Sequence, residues 1–594
     1  MISKLNYFLF LGLCVLSIGK SFKYEDISSE IFPVSEDTGI IAAYGHFNND
    51  EFTDVVTLQQ GGNKLQLLKG SENRPYFEPS LNCTFGNGEV VTSVVPADFN
   101  GDSLLDILIT LWSDSSKTKI NDIRVLWGTG FDSVDCKSES LFYLNAQPFI
   151  ADFNGDMIPD IIGETLDGKR YVWISSHEKK FTNRSLSQIG GKTISNPHSS
   201  GLIDLNNDMT PDILMRTKED IEIWLNTGHD FIPNGTIQYP EKAVYKWQST
   251  FMDINMDGKL NHLLPICYDR ECRKSAIMMW KANDSQWVTL LDNFRNPKEN
   301  VTYGFRLPMS TSHLERSALP TTLRYGDVNM DGYPDLLVVL QSSINSAHVK
   351  AVILRNIPCE SCTFGRSLEI IWDVPGLSNM KNIQLASFFD LFEDGILDIL
   401  VSTNNDGQWK IQAFRNTEIY DSCFLKVLVL SGLCYNDCST EPYGVNQPGP
   451  LVRYNMTKQD GTPVVSTAIQ LPQSAHFPLQ LPYSMFGLGP TPNFIDVLTV
   501  SIPAKFNGSV HSREWLQIIP NSQIVVIPYP PNDSSKWVKK LFVTPSRLVM
   551  LTCISLVGTC IFIALIVALL HWKEKREDKR ERMQEAYRFN FDAM

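Results

Sequence analysis

Asp98, Asn100, Asp102 and Asp106 occupy positions 1, 3, 5 and 9 of the stretch Asp98-Phe-Asn-Gly-Asp-Ser-Leu-Leu-Asp106. Three carboxylates and one amide oxygen are thereby brought round a single tight turn. Hard oxygen donors in that number suit Ca²⁺, which takes about 6–8 oxygens at about 2.3–2.6 Å; a main-chain carbonyl near position 7 and water would complete the shell. Without a cation the same carboxylates repel one another. The pattern recurs at Asp152, Asn154, Asp156 and Asp160, at Asp204, Asn206, Asp208 and Asp212, and at Asp327, Asn329, Asp331 and Asp335. Three further copies are degraded. His46, Asn48, Asp50 and Asp54 begin with His; Asp253, Asn255, Asp257 and Asn261 end in Asn; Asp390, Phe392, Asp394 and Asp398 lack a polar residue at position 3. The four intact copies are predicted to hold structural Ca²⁺. The degraded ones are read first as turns, the Phe392 copy being the one expected to stay empty.

The copies start at residues 46, 98, 152, 204, 253, 327 and 390. Recurrence at this period means a repeat architecture. Short β-branched runs flank each loop, such as Val91–Val95 before Asp98 and Asp335–Leu340 after Asp327, so the unit is strand, loop, strand. A third strand follows in several copies, at Ile123–Trp127, Tyr171–Trp173, Ile221–Trp224 and Ile277–Trp280. Gly or Asn at position 4 or 6 permits the backbone that the turn requires. Residues 22–419 allow about 57 residues per copy, enough for a four-stranded blade, and propellers leave only short, protected sheet edges. The expected fold is therefore all-β: a seven-bladed β-propeller over 22–419. The longer steps after Asp253 and Asp327 imply insertions, with Asn296–Leu319 read as one extended loop.

The 594-residue chain has ordinary globular composition, 43% hydrophobic and 20% charged, and a net charge of −14. Between the ends, 43 basic residues stand against 60 acidic ones, which argues against a nucleic-acid partner. Residues 1–21 read as a signal peptide: Lys4, then an apolar run, then the small residues Gly19 and Ser21. Residues 548–570 carry no charge and are long enough to span a membrane, with Lys573, Lys575 and Arg576 immediately after. That order places the N-terminus outside and residues 571–594 inside as a short cytoplasmic tail, read as a solvated helix held by i,i+4 ion pairs. Asn82, Asn183, Asn234, Asn283, Asn300, Asn455, Asn507 and Asn532 each begin a glycosylation sequon, and all lie on the proposed outer side. Nine cysteines share that side, where disulfides are favoured; Cys83–Cys136, Cys267–Cys272 and Cys359–Cys362 are candidate bridges, and the odd count leaves one cysteine over.

Past residue 419 the loop motif stops. Tyr443–Gly449, Gln473–His476, Phe486–Gly489 and Phe494–Val500 alternate turns with strands, which suggests a small β-sandwich over 420–528, followed by a membrane-proximal spacer over 529–547. The repeated Asp-x-Asn-x-Asp loops resemble the FG-GAP repeats of integrin α-subunit propellers. That resemblance implies Ca²⁺ in the intact loops and a ligand read from the opposite face. Gln470-Leu-Pro-Gln-Ser-Ala-His476 and Ile518-Ile-Pro-Asn-Ser522, with the order leader, repeats, sandwich, span and tail, resemble the T-cell immunomodulatory protein (linkin) family over essentially the whole chain. Membership would imply a single-pass cell-surface glycoprotein with roles in cell–cell adhesion and T-cell modulation. It would also imply an extracellular or cell-surface protein ligand, and tubulin or RuvB-like ATPases as partners of the tail. No His-Glu-x-x-His, phosphate-binding loop or Gly-x-Ser-x-Gly occurs, and His476 has no evident catalytic partner, so the chain is expected not to be an enzyme. The competing reading is an extracellular metal-dependent hydrolase or glycan-processing enzyme.

Overall fold

The computed structural model describes residues 23–589 apart from 33–37, 49, 87, 114–119, 131–132, 187–191, 200, 308–318, 346, 406, 419–421, 434–443, 491–493, 507–508 and 544–546. The signal peptide, Cys434, Cys438, the Asn507 sequon and part of the extended loop lie outside these residues.

Among the described residues, seven successive antiparallel sheets carry the seven loops. The first runs Ile40–Gly45, Asp54–Gln59, Lys64–Gly70 and Phe77–Thr84. In every sheet the loop joins strand one to strand two, and position 9 is the first residue of strand two. It pairs with the last residue of strand one: Gly45 with Asp54, Ala97 with Asp106, Ala151 with Asp160, Ile203 with Asp212, Met252 with Asn261, Gly326 with Asp335 and Phe389 with Asp398. The register is fixed because position 2 is apolar in each copy; Phe47, Phe99, Phe153, Ile254, Val328 and Leu391 are all buried.

Each sheet packs on the next. Cys83–Cys136 joins the first and second sheets, and Phe142 stacks on Trp173 between the second and third, with ring centroids 4.0 Å apart. Arg170 pairs with Glu222 between the third and fourth, and Arg216 donates to the carbonyls of Lys246 and Trp247 between the fourth and fifth. Phe305 N–H donates to Ser275 Oγ between the fifth and sixth. Arg324 donates to the Ala386 carbonyl between the sixth and seventh, and Ile41 N–H donates to Ser402 Oγ between the seventh and the first. The ring is closed, as in a propeller. The N-terminal strand Tyr24–Asp26 seals it by pairing with Gln408–Asn416 as the outer strand of the last sheet. Closure leaves the sheets no open lateral edge at the seam, the aggregation hazard of an unsealed β structure.

The long step after Asp253 is not a bare loop. It begins with a hairpin, Arg295–Asn296 and Val301–Phe305, whose second strand adds to the sixth sheet through Tyr303, opposite Ser342.

Two more four-stranded sheets form a sandwich. Cys423–Val429 lies between Ser484–Gly489 and Ser522–Ile527, with Val538–Val543 at the edge; Leu451–Thr457 lies between Pro463–Ile469 and Ile495–Phe506, with Ser509–Ile518 outside. Leu425, Val427, Val452, Tyr454, Leu498 and Trp537 share one buried core. Here the spacer expected over 529–547 is corrected. Pro530 and Pro531 make a turn rather than an extended link. Trp537 is buried, donating its indole N–H to the Pro530 carbonyl at 3.0 Å, and Val538–Val543 is the sandwich's edge strand. Burial of one large aromatic is enough to pull this stretch into the fold.

Residues up to Phe542 form one compact unit and those from Val543 a second. The second contains the helix Arg547–Phe589, whose part Leu551–Ala586 is long and apolar enough to cross a membrane. The helix continues into the charged tail, where Lys573 and Glu577 make an i,i+4 pair.

Candidate metal centre

Each loop is tied by its own carboxylates. At position 1, Asp98 Oδ1 accepts the N–H groups of Gly101 at 2.6 Å and Asp102 at 3.2 Å, and its Oδ2 accepts that of Ser103 at 2.9 Å. Asp152, Asp204 and Asp327 repeat this with the N–H groups of positions 5 and 6, and so do the degraded copies at Asp253 and Asp390. At position 3 the amide N–H of Asn100, Asn154, Asn206 and Asn329 donates to the carboxylate at position 5, Asp102, Asp156, Asp208 and Asp331 respectively, at 2.8–3.1 Å.

Position 9 does something the sequence reading missed. One oxygen accepts the N–H of position 2. The other reaches across to an N–H at or near the end of the third strand: Asp54 to Gly70, Asp106 to Gly128, Asp160 to Ser175, Asp212 to Asn226, Asp335 to Asn356 and Asp398 to Asn416, all at 2.7–2.9 Å. A carboxylate can bridge two donors in this way because each oxygen accepts independently. The fifth copy has Asn261, whose Oδ1 accepts only Ile254 N–H at 3.1 Å. Position 9 is thus a staple between loop and blade, whatever else it binds. The signal was available in the sequence: Asp survives at position 9 in the His46 and Phe392 copies, where positions 1 or 3 are lost.

The turn also demands more than the motif suggested. From the second loop to the seventh, positions 4 and 6 both lie in the left-handed region. Position 4 is Gly101, Gly155, Asn207, Met256, Met330 and Glu393, and position 6 is Ser103, Met157, Met209, Gly258, Gly332 and Gly395, with φ between 52° and 95°. Glycine fills one of the two positions in five of these loops and neither in the fourth; a non-glycine there costs about 1–2 kcal/mol.

The carboxylates crowd one another out of water. Burial first, and then the neighbouring acids, push Asp98 up to about 6, Asp152, Asp253 and Asp390 to about 7 and Asp335 to about 8; burial pushes Asp212 up to about 6 against its two backbone hydrogen bonds. Asp106, Asp160, Asp327 and Asp398 are raised well above the ordinary range for the same leading reason. Desolvated, mutually repelling carboxylates are the charge pattern a bound cation relieves. The donor chemistry fits a hard divalent ion, and the position-3 oxygen of Asn255 is buried with no hydrogen-bond partner. Among the described residues, however, no three His, Cys, Asp or Glu side chains converge on one point; the oxygens are turned into the loops' own N–H groups. Residues at positions 1, 3, 5 and 9 of the intact loops would hold the ion, with the position-3 amide presenting its oxygen rather than its N–H.

All seven loops face the sandwich. Ser103 Oγ donates to the Leu433 carbonyl, Ser501 Oγ to that of Met209, and Gly489 N–H to that of Met330 at 2.8 Å. Met157 lies in the sandwich core. Thr467 binds both the Gly258 carbonyl and Asp253, Lys426 is ion-paired with Glu393, and burial first, then the Lys426 ammonium, lowers His46 in the first loop. Between two sandwich strands, the segment from Gln473 to Tyr483 reaches the place where the first strands converge. Gln147, Gln248 and Arg324, at or just before the first strands of the third, fifth and sixth sheets, donate to the carbonyls of Ser474, His476 and Phe477. His476 is buried, held down at about 3 by that burial and by His198, and serves as part of this plug.

Cys83–Cys136, Cys267–Cys272 and Cys359–Cys362 are all bonded as the spacing suggested. The sequon residues Asn82, Asn183, Asn234, Asn300, Asn455 and Asn532 are exposed, as attachment of a sugar requires.

A ring of Asp-loop sheets capped by a β-sandwich defines a protein of the FG-GAP propeller class. Residues 46–109 and 152–215 match the FG-GAP-like repeat model, and residues 442–542 match the model described as "ITFG1, C2 domain". The T-cell immunomodulatory protein of Mus musculus is 40% identical over 99% of this chain and 98% of its own length, and that of Homo sapiens 39% over 98% and 97%. Protein linkin of Caenorhabditis elegans is 28% identical over 94% of this chain and 95% of its own. The chain belongs to the T-cell immunomodulatory protein family.

Proposed function

We propose that the protein is a single-pass cell-surface interaction protein whose propeller and sandwich lie outside the cell and engage a protein ligand, with roles in cell–cell adhesion and the modulation of T cells. The observation that carries this is the placement of three disulfides in the unit that precedes one membrane-length helix. Disulfides are stable on the oxidising side of a membrane, so the ring is the exterior part and the charged helix end is cytoplasmic. Family membership supports an immunomodulatory, non-enzymatic role. Ca²⁺ in the four intact loops stabilises the ring and, because those loops carry the sandwich, also fixes how the sandwich is presented. The cytoplasmic end of the helix is the site for tubulin or RuvB-like ATPases.

Epitope tags placed after residue 22 and at residue 594, probed on intact and permeabilised cells, test the orientation. The first tag is labelled on intact cells and the second only after permeabilisation; the reverse sinks the proposal. T cells co-cultured with cells displaying the full chain should differ in cytokine output from those meeting cells without it, and equal output would remove the immunomodulatory part.

A further inference from the structure

The cleft between the fourth and fifth sheets touches the fourth loop only at Leu205 and Asn206, and the rest of its lining lies on the blades. It encloses about 840 Å³, within the roughly 300–1,000 Å³ typical of small-molecule sites. Its walls are aromatic and amide-bearing. Trp280 and Trp287 stand edge to face with centroids 5.3 Å apart, and Tyr268 is exposed beside them. Gln238, Gln286 and Glu241 line the same space. Trp287 is locked in place by its indole N–H, which donates to the Gln238 carbonyl at 2.8 Å. Among the described residues, no lysine, arginine or histidine lines the cleft, and Glu241 is its one charged residue.

That combination selects a ligand class. Phosphate, sulfate and carboxylate ligands need a cation and find none. The side-chain N–H groups of Gln238 and Gln286 already donate to Asp220, Thr236 and Asp284, so a purely apolar ligand would leave their amide oxygens without a donor. A neutral pyranose has a face of C–H bonds that lies on the electron-rich face of an aromatic ring, and an edge of hydroxyls, each both donor and acceptor, as a side-chain amide is. We infer that this cleft binds a neutral oligosaccharide. A sugar can arrive from two sources. Asn234, which opens the sequon Asn234-Gly-Thr236, lies on the wall of the cleft, so a glycan attached there would enter it from within the chain; a glycan on another molecule would enter from outside. The site goes beyond the surface-protein reading and does not depend on the cation loops; only the internal source rests on the ring being exterior.

The test is titration of the full chain in nanodiscs with N,N′-diacetylchitobiose, followed by tryptophan fluorescence, for the parent, Asn234→Gln, Trp287→Ala and Gln286→Ala. If the parent binds and Trp287→Ala weakens binding about tenfold, the loss of one aromatic platform, the cleft takes sugar from outside. If the parent does not bind but Asn234→Gln does, and adding Trp287→Ala or Gln286→Ala weakens that binding, the chain's own glycan fills the cleft. Gln286 is an exposed rim residue, so its variant decides the matter even if Trp287→Ala fails to fold. Absence of binding in both the parent and Asn234→Gln, or binding indifferent to both cleft substitutions, overturns the inference.

Discussion

Two substitutions in the third loop separate the staple from the cation site. Asp160 joins Phe153 N–H at 2.9 Å to Ser175 N–H at 2.8 Å. Asp160→Asn keeps one acceptor oxygen and turns an amide N–H toward the other donor, so one charge-assisted bond is lost and one buried N–H stranded; such losses cost about 1.5–3 kcal/mol. A loss of about 2 kcal/mol is expected. With an unfolding entropy near 2.1 cal/mol/K per residue over roughly 520 residues, that is a fall of about 2 °C in Tm. In EDTA it reports the staple alone, because both bonds are to the backbone; in Ca²⁺ the loss should be at least as large, because position 9 is also among the oxygens that would hold the ion. Asp156→Ala removes only local bonds, to Asn154 and Ile158 at the loop's partly exposed tip. It should cost little in EDTA and clearly more in Ca²⁺, and pairing it with Asp102→Ala should flatten the response to EDTA further. Differential scanning calorimetry of the full chain in nanodiscs measures both. An Asp160→Asn protein that melts with the parent in EDTA refutes the staple, and a parent that melts identically with and without Ca²⁺ refutes the cation.

Arg170 has a fully buried side chain, forks onto Glu222 at 2.6 and 3.1 Å and lies 3.7 Å from Glu164; Arg170→Met leaves both buried carboxylates without their cation and should cost about 3–5 kcal/mol, read as the shift in the urea midpoint, while the double change with Glu222→Leu recovers only part of it, because Glu164 stays uncompensated and Trp224 Nε1–H loses its acceptor. Replacing Cys83 and Cys136 by Ser opens a loop of 53 residues and should destabilise by about 4 kcal/mol, and reductant should then cost less than it costs the parent, since among the described residues only the two short bridges are left to reduce; unchanged stability would mean that the reduced ring is already held. In EDTA, stability should fall from pH 6.5 to 8.5. Asp152, Asp253 and Asp390 near 7 and Asp335 near 8 have folded values above their unfolded ones, so their contribution is full at low pH and is lost as the pH rises through those values. The buried histidines His46, His198, His262 and His476 are lowered and neutral in the folded protein throughout this window; their unfolded forms, with values of about 6.5, oppose the fall only at its lower edge. Saturating Ca²⁺ should shrink the fall; a rise in Tm over the same range would contradict the assignment.

The loop pattern determined much of this protein. The acidic loop motif, recurring seven times between β-branched runs with carboxylates eight residues apart in five of the copies, dictates strand–loop–strand units, and a ring is how such units bury both faces of every sheet. The free-standing apolar helix and the cysteine spacings were legible for the same reason: each is a local property of the chain. What the linear pattern could not carry were contacts between residues hundreds apart. The sealing of the seventh sheet by Tyr24–Asp26, the plug at Ser474–Phe477 and the sandwich seated on all seven loops each depend on surfaces that exist only after the ring closes. The second oxygen of each position-9 aspartate is a shorter-range case: its partner N–H, 14–22 residues on, comes within reach only when strands two and three pair. The strand Val538–Val543 was disguised as a spacer by its prolines, although it pairs with the neighbouring Ser522–Ile527 and Trp537 is buried against Pro530. Sequence fixes which groups must be satisfied; only the folded ring supplies the partners that satisfy them.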